Sequence, residues 1–396
     1  GIVDRGSVFE MIFGYISWLN DINQSSDLFL ATVKFTFIKI ITNYKYYVSL
    51  NLPHEITITP KNVSTIVQDF WIEHFFAGLI MREVRSGLLQ KQRIREQSVK
   101  LLKDLLHSHD IDPRYPEADK KARIIGLYFP FVITVVDFNS ILQGYLQQDE
   151  KINWLLCFLY IIEYCPRKLL HQYWSSIEAT RIVDFFVILA VAVTTFKSHK
   201  LFKPISFIII DMILDFCKSH RDILEENNSV LSQIFLVLQE LQVNQSTSFV
   251  IALYNLLAVI SRYFSRAIFC LGDASYCGSL TYQVLLDCNA EKVSVRNKAC
   301  SLYYFLLQKN YEETQDVCRM ELESTISLCK LLSGEQKVTE YSNLRLSLNV
   351  ISDYTRKHQQ NEMLKQMILT AISKVSRLLR FNEQLSENAD NPQVMA

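Results

Sequence analysis

The feature that most limits what this chain can fold into is its shortage of glycine. It has ten glycines in 396 residues, where average usage of about 7% would supply about 28. Barrels, sandwiches and doubly wound sheets spend glycine in hairpins, bulges and phosphate-binding loops, because only glycine enters left-handed backbone conformations at no steric cost. The ten here stand at 1, 6, 14, 78, 87, 126, 144, 272, 278 and 334. No G-x-G-x-x-G, Walker loop or G-x-S-x-G can be built from them. The chain is expected to be all-α.

Apolar spacing agrees with that expectation. Apolar residues recur at helical intervals in most windows, predicting helices over about 6–22, 26–47, 62–88, 92–108, 116–147, 151–164, 167–196, 204–219, 229–241, 246–268, 278–288, 292–308, 311–333, 338–357 and 360–384. One segment reads as extended, "VSLNLPHEITITP" at 48–60, where Pro53 and Pro60 bar a regular helix. Short connections favour antiparallel neighbours in a stacked array.

One internal comparison makes the array explicit. Residues 94–106 read "IREQSVKLLKDLL" and residues 295–307 read "VRNKACSLYYFLL". Both are apolar-Arg-x-x-small followed by leucines, so Ile94 meets Val295, Arg95 meets Arg296, Ser98 meets Ala299 and Val99 meets Cys300. The pattern is that of an inner helix of a HEAT or armadillo repeat, in which a small residue admits a neighbouring helix and leucines fill the layer. The predicted architecture is an armadillo/HEAT-like α-solenoid over 1–396, with a subdivision near 198–245.

Composition excludes several function classes. Lys+Arg and Asp+Glu are balanced at 41 each, which argues against a nucleic-acid binder. Nine cysteines without a C-x-x-C read as reduced, buried thiols in the cytosol. The run Phe185–Phe196 is uncharged for twelve residues, short of the ~20 a bilayer span needs, so it reads as a buried helix. The expected location is cytoplasmic.

The stretch "HSHDID" at 107–112 looks at first like a metal site, with His107, His109, Asp110 and Asp112 in one hexapeptide. An H-x-H-x-D-H metallo-hydrolase pattern fails in register, since Ile111 and Asp112 stand where Asp and His are needed. An all-helical phosphohydrolase would instead use His74, the pair His109–Asp110, and Asp137 or Asp149 to hold divalent ions and activate water. The alternative is a joint between helices. His107 and His109 then close helix 92–108 near its negative dipole end, and Asp112-Pro113 is a turn signal. Pro116 and Glu117 start the next helix, and Pro130 is expected to kink or divide it. Arg114 and Arg123 are placed to pair with Asp110 or Asp112. The joint uses the residues more economically, and no catalytic, cofactor-binding or metal residue is assigned. A basic ridge of Arg82, Arg85, Lys91, Arg93, Arg95 and Lys100 is interrupted by Glu83 and Glu96 and reads as solvated surface. His171, His199, His220 and His358 read as ordinary surface or cap residues.

The same region carries a family resemblance. "FAGLIMREV" at 76–84, "DIDPRY" at 110–115 and "ARIIGLYFP" at 122–130 resemble motifs of the Dock (dedicator of cytokinesis) family, zizimin-like branch. "KFTFIKII", "YVSLNLP" and "RNKACSLYYFLLQKNYE" (296–312) fit in the same order, and the match weakens over 198–245, where the family carries a longer polar insertion. The resemblance implies an armadillo-like scaffold between a lipid-binding and a catalytic Dock-homology region. The catalytic region exchanges GDP for GTP on Rho/Rac-family GTPases and is expected just after residue 396. This segment would then be no enzyme, with protein partners, the GTPase reached through the catalytic region, homodimerisation as an expectation, and membrane recruitment through other regions of the parent. The other readings are a free-standing HEAT-type adaptor and, more remotely, the helical phosphohydrolase.

Overall fold

The computed structural model describes residues 5–22, 27–44, 47, 74–226, 228–242, 246–271, 274–333 and 341–389. Among them are nineteen α-helices, one π-helix and no strand. The extended segment expected at 48–60, and the first part of the helix expected over 62–88, lie outside the described residues. The chain divides into two compact units, Gly1–Ile208 and Ile209–Ala396.

In the first unit, α1 (Arg5–Ile22), α2 (Leu28–Thr42), α3 (Phe75–Leu88) and α4 (Gln92–Asp110) precede three short helices. These are α5 (Ala118–Gly126), α6 (Pro130–Asp137) and α7 (Asn139–Gly144), where spacing alone suggests one helix over 116–147. Pro130 is the reason for the first division. It has no amide N–H and clashes with a preceding helical turn, so it stands at the first position of α6. Next come α8 (Gln148–Tyr164), α9 (Arg167–Ser176) and α10 (Ala179–Phe196). The periodicity over 167–196 is broken at Ile177 and Glu178, both extended. That break lets Trp174 fold edge-on against Phe185, with ring centroids 5.7 Å apart. Helices α2, α4, α8 and α10 pack in succession, each on the next.

Helix α10 is long and apolar enough, by length and composition alone, to cross a membrane. Here Ile182, Phe185, Phe186, Ile188, Leu189, Ala192, Val193 and Phe196 are buried within the unit, and Arg181 near its start pairs with Asp137.

Helix α11 (Phe202–Ser219) runs across the division, followed by α12 (Arg221–Glu226), α13 (Asn228–Leu241) and α14 (Thr247–Tyr263). A π-helical turn at Ala267–Leu271 replaces the end of the helix expected over 246–268. Then come α15 (Ala274–Cys288), α16 (Val293–Thr314), α17 (Cys318–Ser333), α18 (Ser342–His358) and α19 (Glu362–Ala389). Within this second unit the helices form two rows: α14, α16 and α18 pack in succession, and so do α13, α15, α17 and α19. Helix α16 overruns its expected end and stops at Gln315, the one non-glycine residue with positive φ (57°) among those described. Asn310 spans the turn. Its amide donates to Thr314 Oγ1 at 3.0 Å, and its carbonyl accepts from the Met320 amide at 3.1 Å.

The two sequence copies fold alike. In α4, Ile94, Ser98, Val99, Leu101, Leu102, Leu105 and Leu106 are buried; in α16, so are Val295, Ala299, Cys300, Leu302, Tyr303, Leu306 and Leu307, position for position. The shared arginine has a shared task. Arg95 donates to the Gln90 carbonyl at 2.9 Å, and Arg296 to the equivalent Glu291 carbonyl at 2.7 Å, tying each helix to the turn before it. The small residue marks where the preceding helix crosses. A Cβ added to Gly87 would sit 2.7 Å from the Ser98 Cβ, so α3 and α4 touch almost backbone to backbone.

An ionic knot joins the first three helices. Lys34 Nζ of α2 reaches Glu83 Oε2 of α3 at 2.9 Å and Asn20 Oδ1 of α1 at 2.8 Å, with Lys34 7% and Glu83 1% exposed. Asn20 and Arg82 donate to the same carboxylate. Removing one partner strands a buried charge, so Glu83→Ala is expected to lower unfolding free energy by about 3–5 kcal/mol, while Lys34→Met/Glu83→Leu restores most of it. Gln315→Gly should raise stability by about 1 kcal/mol by removing a Cβ from left-handed backbone. Urea unfolding followed by circular dichroism measures all three.

Candidate functional site

The candidate site is where the histidine–aspartate stretch meets α3, α5 and α8. Helix α4 runs two residues further than spacing suggests, through Asp110. That extension separates the two histidines: His107 stays exposed, and His109 turns into the core at 6% exposure. His109 is therefore not a positive group serving the helix dipole, as its position suggested. Burial pulls its pKa down from 6.5 to about 4, against a smaller upward pull from Asp112. Its Nε2 lies 2.9 Å from the Tyr128 hydroxyl, which is 3.4 Å from the Tyr47 hydroxyl.

His74 completes this buried cluster. It caps α3, its Nδ1 accepting the Ala77 amide at 2.9 Å. A neutral imidazole that accepts at Nδ1 carries its proton on Nε2. That nitrogen is fully buried with no hydrogen-bond partner among the described residues. Burial first, and the neighbouring His109 second, bring its pKa down to about 3. The Tyr47 ring lies against both imidazoles, 5.3 Å from His74 and 6.1 Å from His109. An aromatic slab between two neutral imidazoles packs the core; it leaves no converging lone pairs for a cation.

Three carboxylates of the candidate set, Asp110, Asp112 and Asp137, are engaged elsewhere. Asp110 pairs with Lys121 and accepts from the Tyr160 hydroxyl at 3.0 Å. Those bonds hold its carboxyl below the usual range, with the Lys121 hydrogen bond the largest cause. The Asp110 partner is thus Lys121 of α5 rather than Arg114 or Arg123. Asp112 does take Arg114, side chain and backbone amide together, at 2.6 and 3.0 Å, and this closes the turn after α4. Asp137 pairs with Arg85 and Arg181, linking α3, α6 and α10. Asp149 is exposed, lining a groove with Glu96, Lys103 and Asp104. Among the described residues no three of His, Cys, Asp and Glu assemble into a set that would hold a metal ion. What the arrangement does chemically is fasten: α4, α5 and α8 are tied through Asp110, Lys121 and Tyr160.

Three arginines of the basic ridge pair with carboxylates, and two of them, Arg82 and Arg85, remain exposed. Arg82 pairs with Glu83, Arg85 with Asp137 and Arg95 with the buried Glu150; Lys91, Arg93 and Lys100 are exposed. His220 is no surface residue: it is 8% exposed and stacks on Phe216 at 5.2 Å. Of the nine cysteines, all unpaired, Cys270, Cys318 and Cys329 are exposed rather than buried. Two features escaped the sequence reading. One is the Lys34–Glu83 knot, whose partners are 49 residues apart. The other is an aromatic groove between α16 and α18, lined by Cys300, Tyr304, Phe305 and Tyr354. The repeat comparison carried a signal for the second, since it set Cys300 on a helix-crossing face.

Comparison with known proteins gives a consistent answer. No protein-family model matches the chain. Dedicator of cytokinesis protein 9 of Mus musculus is 20% identical over 569 residues, taking in 99% of this chain. Dedicator of cytokinesis protein 11 of Danio rerio is likewise 20% identical over 570 residues and 99% of the chain. Dedicator of cytokinesis protein 7 of Homo sapiens is 27% identical over 191 residues, or 39% of the chain. This chain spans 27% of the length of the first two and 9% of the third.

The buried imidazoles make acid stability a test of the site. Both folded-state pKa values lie below 6.5, so on acidification the unfolded chain binds protons first. Stability is therefore full above about pH 6.5 and falls as pH drops toward 4, each group contributing a slope of up to about 1.4 kcal/mol per pH unit. His109→Gln, which keeps a polar partner for Tyr128, should lower that slope between pH 6 and 4.5 by about one group's share. Urea midpoints measured across this range would show it; equal slopes in variant and wild type would contradict a buried, neutral His109.

Proposed function

We propose that this chain, a member of the Dedicator of cytokinesis family, is a non-catalytic scaffold of a larger guanine nucleotide exchange factor. In this reading it is an armadillo-like α-solenoid of the zizimin-like branch, and it holds in position a catalytic region that follows residue 396. The observation that carries the proposal is the co-linear match to Dedicator of cytokinesis proteins over 99% of the chain. The state of the candidate site supports it: His74, His109, Asp110, Asp112 and Asp137 are each engaged in packing or in pairs that fasten helices. A Rho/Rac-family GTPase would be reached through the catalytic region, and a homodimer through faces of this or a neighbouring segment. Nine unpaired thiols support a reducing, cytoplasmic setting.

Two measurements test this. Release of a fluorescent GDP analogue from Rho- and Rac-type GTPases should proceed at its intrinsic rate with this segment present at micromolar concentration; acceleration of about tenfold or more would overturn the non-catalytic assignment. Sequencing the transcript past codon 396 should reveal a Dock-type catalytic region in frame, and an immediate stop codon would remove the scaffold reading in favour of an independent adaptor.

A further inference from the structure

Each copy of the repeated helix borders a groove, and the two grooves are lined differently. With Ile94 set on Val295, the α4 residues Glu96, Val99, Lys100, Lys103 and Asp104 correspond to Asn297, Cys300, Ser301, Tyr304 and Phe305 of α16. The first set lines the groove between α4 and α8, the second the groove between α16 and α18. In the first unit two of these positions hold ions with near partners: Asp104 pairs with Lys39 and Lys103 donates to Asn153, each at 2.8 Å. That is ordinary solvated surface. In the second unit the same two positions hold rings. The repeat does not require them, because α4 packs on α2 and α8 with an ion at each.

The rings face an open groove of about 370 Å³. Its α16 wall runs from Asn297 to Gln308, about 16 Å at ~1.5 Å per residue. Leu346, Val350 and Tyr354 stand four residues apart on one face of α18, each about half exposed, and the last two form the opposite wall. Tyr304 meets Tyr354 edge-on at 5.1 Å, and its hydroxyl accepts from Gln308 and Gln359 at 3.1 and 3.0 Å, which holds the ring at the groove. Cations border the other side of α16. Arg262 of α14 and Lys309 lie 5.9 and 5.5 Å from the centre of the Phe305 ring, and Lys298 reaches Asn255 of α14 at 3.4 Å. Lys309 pairs with Glu312, whereas Arg262 and Lys298 have no carboxylate partner among the described residues. On α18, Asp353 is taken by Arg356 at 3.0 Å. Positive charge therefore outweighs negative along the stretch of α16 that carries the rings.

We propose that the α16–α18 groove is a docking site for an acidic amphipathic helix of a partner protein. Its apolar stripe lies between Tyr304, Phe305, Val350 and Tyr354, and its carboxylates face Arg262, Lys298 and Lys309. The groove has the length of a few helical turns, and an apolar channel of that shape takes a helix side-on. Charge selects the partner's sign: Arg262 and Lys309 crowd one ring with one carboxylate between them, so added negative charge is attracted and added positive charge repelled. A second copy pairing through this same face would set these cations against one another. A flat bilayer surface does not enter a channel between two helices.

The test titrates the whole 396-residue chain into a fluorescein-labelled amphipathic peptide, with leucines on one face and glutamates along one flank, and reads anisotropy. Saturable binding is expected, weakened about tenfold or more by Val350→Asp, weakened by added salt, and lost when lysines replace the glutamates. The doubly reversed chain, Arg262→Glu with Lys298→Glu, should exchange the preference and bind the lysine peptide instead. All three positions are exposed, and circular dichroism melts confirm that the variants fold. Absence of binding, equal affinity for the two peptides, or binding undiminished in Val350→Asp would overturn the proposal. Sedimentation velocity of the chain alone and flotation with phosphatidylserine vesicles examine the other occupants. A dimer, or a vesicle association, that Val350→Asp abolishes would assign the groove to that occupant and sink the acidic helix.

Discussion

Close approach of two helix backbones is the constraint on which the first copy of the repeated hairpin depends. Helices bearing leucine and phenylalanine at every contact would stand about 8–10 Å apart, and the layers would not interlock around a short connection. Gly87 against Ser98 removes that spacing at one point, leaving no room for even a methyl group. With the crossing fixed, Arg95 reaches back to the Gln90 carbonyl, and the leucines of α4 meet α2 on one side and α8 on the other. The second unit keeps the arginine tie, Arg296 to the Ala290 carbonyl, and the buried small residue Ala299.

Charge in this protein is used mainly to join helices. The Lys34–Glu83 knot, the Asp137 pair of arginines, the Arg95–Glu150 pair and the Asp110–Lys121 contact each connect helices that are separate in sequence. The buried pairs among these, Lys34–Glu83 and Arg95–Glu150, add little net stability relative to well-packed apolar residues, but breaking one leaves a stranded charge. The stretch that most resembled an active site belongs to the same class. Its histidine is neutral and buried, and its aspartates hold a turn and a neighbouring helix.

Much of this was legible in the residues. Scarce glycine and 3.6-residue periodicity required helices, and Pro130 required a new helix start at that position. The apolar-Arg-x-x-small pattern at 94 and 295 identified equivalent buried faces, since a small residue among leucines has a packing reason. Other features were hidden. The break at Ile177–Glu178 has no proline or glycine to signal it; it accompanies the edge-on packing of Trp174 against Phe185. The left-handed Gln315 likewise depends on Asn310 bonding across the turn to Met320.

The sequence by itself determined the helical class, the turn chemistry around Asp112 and Pro113, and the similarity to Dedicator of cytokinesis proteins. These follow from local backbone preferences, or from residue patterns that survive at low identity. Only the tertiary structure decided that His107 faces solvent while His109 sits between tyrosines, and that Asp110 takes a lysine rather than an arginine. Each of these depends on which side chains from distant segments fill the same few ångströms, and hydrophobic spacing carries no record of that.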